Sequence, residues 1–109
     1  MSKQIGIIDQ IGEAAALEQL AEESAELSKS ALKMARIIRN ENPTPIDYCA
    51  AYRSLLEELG DVRLCVSALE EKYGTLNTTD IERRKLERWK TRLSKKLHER
   101  RSDNDNAEI

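Results

Sequence analysis

Residues 46–73 read IDYCAAYRSLLEELGDVRLCVSALEEKY, and Tyr48, Tyr52, Leu55, Leu59, Val62, Val66, Leu69 and Tyr73 recur in it at alternating spacings of four and three. That period puts all eight on one stripe of a single long helix over about 46–73. Gly74 follows the last stripe residue, where a C-terminal capping glycine belongs. Upstream, Asn40 to Pro45 (NENPTP) carries two prolines and two asparagines and reads as a loop. Before it, Leu20, Ser24, Leu27, Ala31, Met34 and Ile38 repeat the same spacing and predict a helix from about Glu13 to Arg39.

Downstream, Thr79-Asp80-Ile81-Glu82 reads as a capping box, the Thr79 hydroxyl and Glu82 carboxylate meeting free backbone N–H groups. The third helix it opens runs to about Arg100, with Leu86, Trp89, Leu93 and Leu97 on its apolar side. The last residues, SDNDNAEI (102–109), read as a disordered polar tail. The expectation is an all-α bundle of three to four helices in a single domain over residues 1–101.

Composition agrees with that class. The chain has 109 residues, 35% of them charged, with no Phe, one Trp, three Tyr, four Gly and two Pro, too few aromatic and turn residues for a sandwich or barrel. Three amphipathic helices with Ala-rich seams give a thin core, so the bundle is expected to complete it by self-association. Two cysteines, Cys49 and Cys65, in apolar-patterned segments fit a reducing compartment rather than a disulfide scaffold. No run approaches the length of a membrane span, and the first residues lack the pattern of a signal peptide, so a cytoplasmic protein is expected.

Twenty acidic residues against 18 basic give a net charge of −2, and no overall field draws the chain to nucleic acid. A single histidine, His98, removes much enzymology, because triads, Cys–His pairs and His-rich zinc sites all need imidazole placed beside partners. A di-iron bundle built on Glu-x-x-His is excluded as well, since Lys95 stands three residues before His98. Chemistry in this chain falls to carboxylates.

At about 100° per residue, Glu23 and Glu26 lie i, i+3 along one shoulder of the first stripe, and Glu58 and Asp61 take the same shoulder of the second. Packing by these stripes brings four carboxylates to one edge of the interface. Each close pair then repels by on the order of 1–4 kcal/mol unless a cation neutralises it. Oxygen ligands without His or Cys suit a hard cation such as Mg²⁺. The plain alternative is a set of solvated faces and salt bridges. Glu22 and Glu57 face away from their stripes and read as exposed helix residues.

These segments resemble a known family. QLAEESAEL (Gln19 to Leu27) and LLEELGDVRLCVSAL (Leu55 to Leu69) are similar to the E-x-x-E and E-x-x-D motifs of the MazG-like, all-α nucleoside triphosphate pyrophosphohydrolases. The likeness spans roughly Ala16 to Leu97, and E-E-L-G-D is its most specific string. It departs in the spacer, residues 27–57, which is longer than usual for the family around NENPTP and leaves substrate choice open.

The resemblance implies cleavage of a nucleoside triphosphate at the α-phosphate to a monophosphate and pyrophosphate. Mg²⁺, with Mn²⁺ as a substitute, would be held by Glu23, Glu26, Glu58 and Asp61. The general base would be Glu22, which matches an extra acidic residue before the first motif, or Glu26. A homodimer or homotetramer is implied too.

The third helix carries the opposite charge. From Arg83 to Arg101, Lys or Arg fills ten positions and only Glu87 and Glu99 are acidic. Lys85, Arg92 and Lys96 form a basic stripe with Trp89 at its apolar border. A solvated face is one reading; by the resemblance, Lys85 and Arg92 reach the triphosphate. Trp89 reads as core, with contact to a base as the alternative, and Tyr48 and Tyr52 read as core. The basic stripe carries no nucleic-acid-binding motif. The competing function is a catalytically silent helical interaction or regulatory protein on the same bundle, which does not need the two acidic pairs.

Overall fold

The computed structural model describes residues 6–41 and 47–107, with side chains through Asp103. It is all-α: α1 (Ile7–Ile11), α2 (Glu13–Arg39), α3 (Tyr48–Tyr73) and α4 (Thr79–Ala107), with no strand among the described residues. Contacts gather in two compact units, Met1–Leu76 and Asn77–Ile109, where the sequence reads one domain over residues 1–101.

The helix ends follow local chemistry. Asn40 adopts the left-handed region (φ 55°, ψ 36°); its N–H donates to Ile37 O, and Glu41 N–H donates to Arg36 O, both at 3.2 Å. That pair of bonds is a Schellman stop, with Asn in the place usually taken by Gly. Of the expected NENPTP loop, residues 42–45 lie outside the described residues, as does Ile46. Asp47 caps α3 by accepting from Ala50 N–H at 2.8 Å. Gly74 ends α3 at φ 74°, its N–H donating to Glu70 O at 2.9 Å, as the sequence predicts.

Two expectations about ends shift. At the start of α4 the Glu82 carboxylate accepts from the Thr78 hydroxyl where the capping box has it meeting a backbone N–H, and the Thr79 N–H donates to Asn77 Oδ1 at 3.0 Å. The helix then runs past Arg100 to Ala107, so residues 102–107, read as a disordered tail, are helical. Ser, Asp and Asn cost only a few tenths of a kcal/mol each in a helix already under way, and neither Gly nor Pro interrupts them. Finally, α1 supplies the fourth helix ahead of the three that periodicity places. It is too short for a period to show, and it forms because Ile8 is buried against Ala16 and Leu69.

Glycine is required between α1 and α2. Gly12 has φ 90° and ψ 159°, a region closed to residues with a Cβ. From there α1 folds back on α2 and α3, and Glu71 Oε2 accepts the Ile8 N–H at 3.3 Å.

Helices α2 and α3 pack antiparallel, with Glu13 at the start of α2 against the Tyr73 phenol at the end of α3. The residues withdrawn from water show the register. On α2 they include Ala16, Leu20, Glu23, Leu27, Ser30, Met34 and Ile37; on α3 they include Ala51, Leu55, Glu58, Val62, Cys65 and Leu69, with Leu59 and Val66 partly buried beside them. Both sets step by fours and threes, the heptad of paired helices. On α2 this seam is rotated from the stripe drawn on apolarity, whereas on α3 Leu55, Leu59, Val62, Val66 and Leu69 of the expected stripe are withdrawn from water. Ser24, Ala31 and Ile38 are exposed, and Tyr48, Tyr52 and Tyr73 lie roughly half in water rather than in the core. The core itself is small: Ile8, Ala16, Ala51, Ala68 and Leu69.

On α4 every described side chain is exposed, including the expected core residues Leu86, Trp89, Leu93 and Leu97; Trp89 is 59% exposed. No helix among the described residues is long and apolar enough to cross a membrane.

Candidate metal centre

Two acidic residues withdrawn from water on the seam build the site. Glu23 on α2 and Glu58 on α3 stand within the heptad rather than on its shoulder, each one step from an aliphatic neighbour in the same row: Leu20 and Leu27 for the first, Leu55 and Val62 for the second. Two carboxylates therefore turn toward one another across a packed interface. Asp61 follows Glu58 by three residues, nearly one helical turn, and projects to the same place from the exposed side. Glu23, Glu58 and Asp61 bring one carboxylate oxygen each to within 4.8 Å of one another.

Electrostatics mark Glu58 as the centre. Partial burial pushes its carboxyl above the ordinary carboxylate range, and the charges of Asp61, Glu23, Glu26 and Glu57 push it further the same way. A cation placed among these oxygens would remove that repulsion. The donors are all hard oxygens, and the cluster opens to solvent at Asp61, so the residues present fit a divalent cation that keeps part of its water shell.

The four expected ligands divide three to one. Glu26 does not join the converging oxygens; it is an exposed neighbour whose carboxylate pairs with Lys29 Nζ at 3.3 Å. Glu22 is exposed. Lys85 and Arg92 stand together on α4, with Arg88 and Thr91, around an open concavity of that helix, and Trp89 is exposed beside them.

Two flanks of the cluster escaped the sequence reading. On one side Glu26, Lys29, Ser30, Lys33 and Arg36 of α2, with Ser54 and Glu58 of α3, line a concavity of about 340 Å³. Its signal was present as a ladder of polar residues at helical spacing after the first acidic pair. On the other side a smaller apolar cavity of about 130 Å³ is lined by Ile7 and Ile11 of α1, Ala16 and Gln19 of α2, and Leu64, Cys65 and Ala68 of α3. Without α1 it has no roof, and no motif announces it. Gln19 joins it to the carboxylates, its Nε2 donating to Glu23 Oε1 at 2.9 Å. Cys65 does so electrostatically: burial raises the pKa of its thiol, and the Glu23 and Asp61 charges add to that.

Compared with family models, curated proteins and solved structures, the chain matches none.

Proposed function

We propose that this protein is a divalent-cation-dependent nucleoside triphosphate pyrophosphohydrolase of the MazG-like kind, with Mg²⁺ as its cation and Mn²⁺ as a substitute. The observation that supports the reading most is the convergence of Glu23, Glu58 and Asp61 from two helices on one point, the first two at seam positions where a purely structural bundle would place hydrocarbon. Burying acids there lowers stability, and a cation-binding role accounts for their presence.

The reaction adds water to the α-phosphorus and breaks its bond to the bridging oxygen, releasing a nucleoside monophosphate, pyrophosphate and one proton. Bound Mg²⁺ would supply neutralisation of the phosphate charge and acidification of the attacking water. Glu23, Glu58 and Asp61 would hold it. Of the two candidates for the proton, Glu26 borders the cluster closely enough for its charge to act on Glu58, and the reading assigns the role to Glu26. Lys85, Arg92 and Trp89 remain the substrate-contacting candidates of α4.

The reading includes self-association as a homodimer or homotetramer. Its support is the half-exposed row Leu86, Trp89, Leu93 and Leu97, a patch of the kind that marks protein interfaces. The free thiols Cys49 and Cys65 fit a reducing compartment, and the cytoplasm is proposed.

The experiment is a panel of canonical and modified NTPs and dNTPs with Mg²⁺, scored for monophosphate and pyrophosphate. Glu58→Gln and Asp61→Asn should abolish turnover with helical content intact. No product from any substrate, or full activity in both variants, overturns the proposal and leaves the silent interaction protein in its place.

A further inference from the structure

The carboxylate cluster sits between two flanks of opposite character on the same α2·α3 pair. One flank carries Lys29, Lys33 and Arg36 around a concavity that reaches Glu26 and Glu58. The other is the apolar cavity under α1, with Gln19 and Cys65 at the carboxylate end. Along α2 the order is apolar cavity (16–19), carboxylate (23), basic flank (29–36); α3 repeats it in reverse.

We propose that Lys29, Lys33 and Arg36 are the seat of the leaving pyrophosphate, and that the substrate lies along the groove with its nucleoside end toward the cavity beneath α1. Three cations at i, i+4 and i+7 form one row on α2, starting about two turns beyond Glu23. A diphosphate spans more than one of them. Two anions share that concavity, and they set the requirement for metal: Glu26 is already paired with Lys29 at 3.3 Å, and Glu58 belongs to the cation cluster. Pyrophosphate therefore enters with a divalent cation rather than alone. The cavity at the other end offers hydrocarbon walls and the single amide side chain of Gln19, the surroundings of a flat, weakly polar ring and not of a phosphate. This assignment deepens the proposed function and rests on it.

The test is calorimetric titration of inorganic pyrophosphate into the full chain with and without Mg²⁺, which needs no turnover. Pyrophosphate should bind with Mg²⁺ present, and Lys33→Gln with Arg36→Gln should weaken it at least tenfold while Mg²⁺ binding and helical content stay unchanged. Arg83→Gln with Arg84→Gln removes the same charge from α4 and should leave the affinity within about twofold.

Amide resonances read the direction: pyrophosphate with Mg²⁺ should shift residues 29–36, whereas nucleoside 5′-monophosphates should shift 16–19 and 64–68. Absence of pyrophosphate binding, equal loss in the α4 control, or shifts at the reversed ends overturns the inference. An inactive protein that still binds pyrophosphate through Lys33 and Arg36 overturns the hydrolase reading alone.

Discussion

Glu23 and Glu58 meet across the α2·α3 seam with carboxylate oxygens no more than 4.8 Å apart, each in a heptad row otherwise mostly of hydrocarbon. The helices pack around this pair because Leu20, Leu27, Leu55 and Val62 bracket it. The cost of holding two acids there is carried by the fold, and any partner that neutralises them returns it.

Glu23→Leu restores hydrocarbon to the seam. The cation-free protein should gain about 1 kcal/mol in denaturant unfolding from one more half-buried aliphatic side chain and less repulsion at Glu58. Added Mg²⁺ should no longer raise its thermal midpoint. A variant less stable than the parent would show that Glu23 makes a favourable contact in the unliganded protein.

The pH dependence follows from Glu58. Its carboxyl titrates higher in the folded protein than in the unfolded chain, so between those two values the folded state binds more protons. Stability present below the ordinary carboxylate value is lost as the pH rises through the raised one. The thermal midpoint of the cation-free protein should therefore fall more steeply with rising pH over that interval than the midpoint of Glu58→Gln. Saturating Mg²⁺ favours the ionised Glu58 and should abolish that steeper fall in the parent, and identical slopes without the cation would refute the account.

Cys65 reports on the same charges. Burial first, and then Glu23 and Asp61, keep its thiol protonated to higher pH. In a Cys49→Ser background, alkylation of Cys65 should be slow, and Mg²⁺ should accelerate it severalfold by neutralising the two carboxylates. Mass spectrometry of the alkylated peptide over time measures both rates; a rate indifferent to the cation would separate the thiol from the cluster.

Gly12→Ala places a Cβ where φ is 90° and should destabilise the folded chain by about 1–3 kcal/mol. The loss should be concentrated at α1, with limited proteolysis opening residues 6–12 before the α2·α3 pair melts. Uniform protection along the chain would place the strain elsewhere.

Leu86→Glu with Leu93→Glu should shift sedimentation at micromolar concentration toward the monomer if the exposed row on α4 is an interface. A parent protein that already sediments as a stable monomer would refute self-association.

What the sequence displays of this molecule depends on how polar its seam is. The long helices are plain because their spacing of threes and fours survives a shift of one residue. On α2 the seam is displaced because Glu23 and Ser30 fill heptad positions, and a search for apolar rows passes over them to Ser24, Ala31 and Ile38; on α3 the apolar row holds from Leu55 to Leu69 but leaves out Glu58 and Cys65 beside it. The two acidic motifs were legible as neighbours, but periodicity does not show that Glu26 stays exposed and paired with Lys29 while the other three converge. The apolar cavity needed α1, whose five residues carry no period.

The alanines of the core have a thermal signature of their own. Of the five buried residues among those described, Ala16, Ala51 and Ala68 offer only a methyl group each, and Ile8 and Leu69 are the large ones. Unfolding an isolated chain of this kind wets little new hydrocarbon. Its heat-capacity increment should fall below the ~12–15 cal/mol/K per residue of ordinary domains, and its stability curve should be correspondingly shallow, changing slowly from cold to warm.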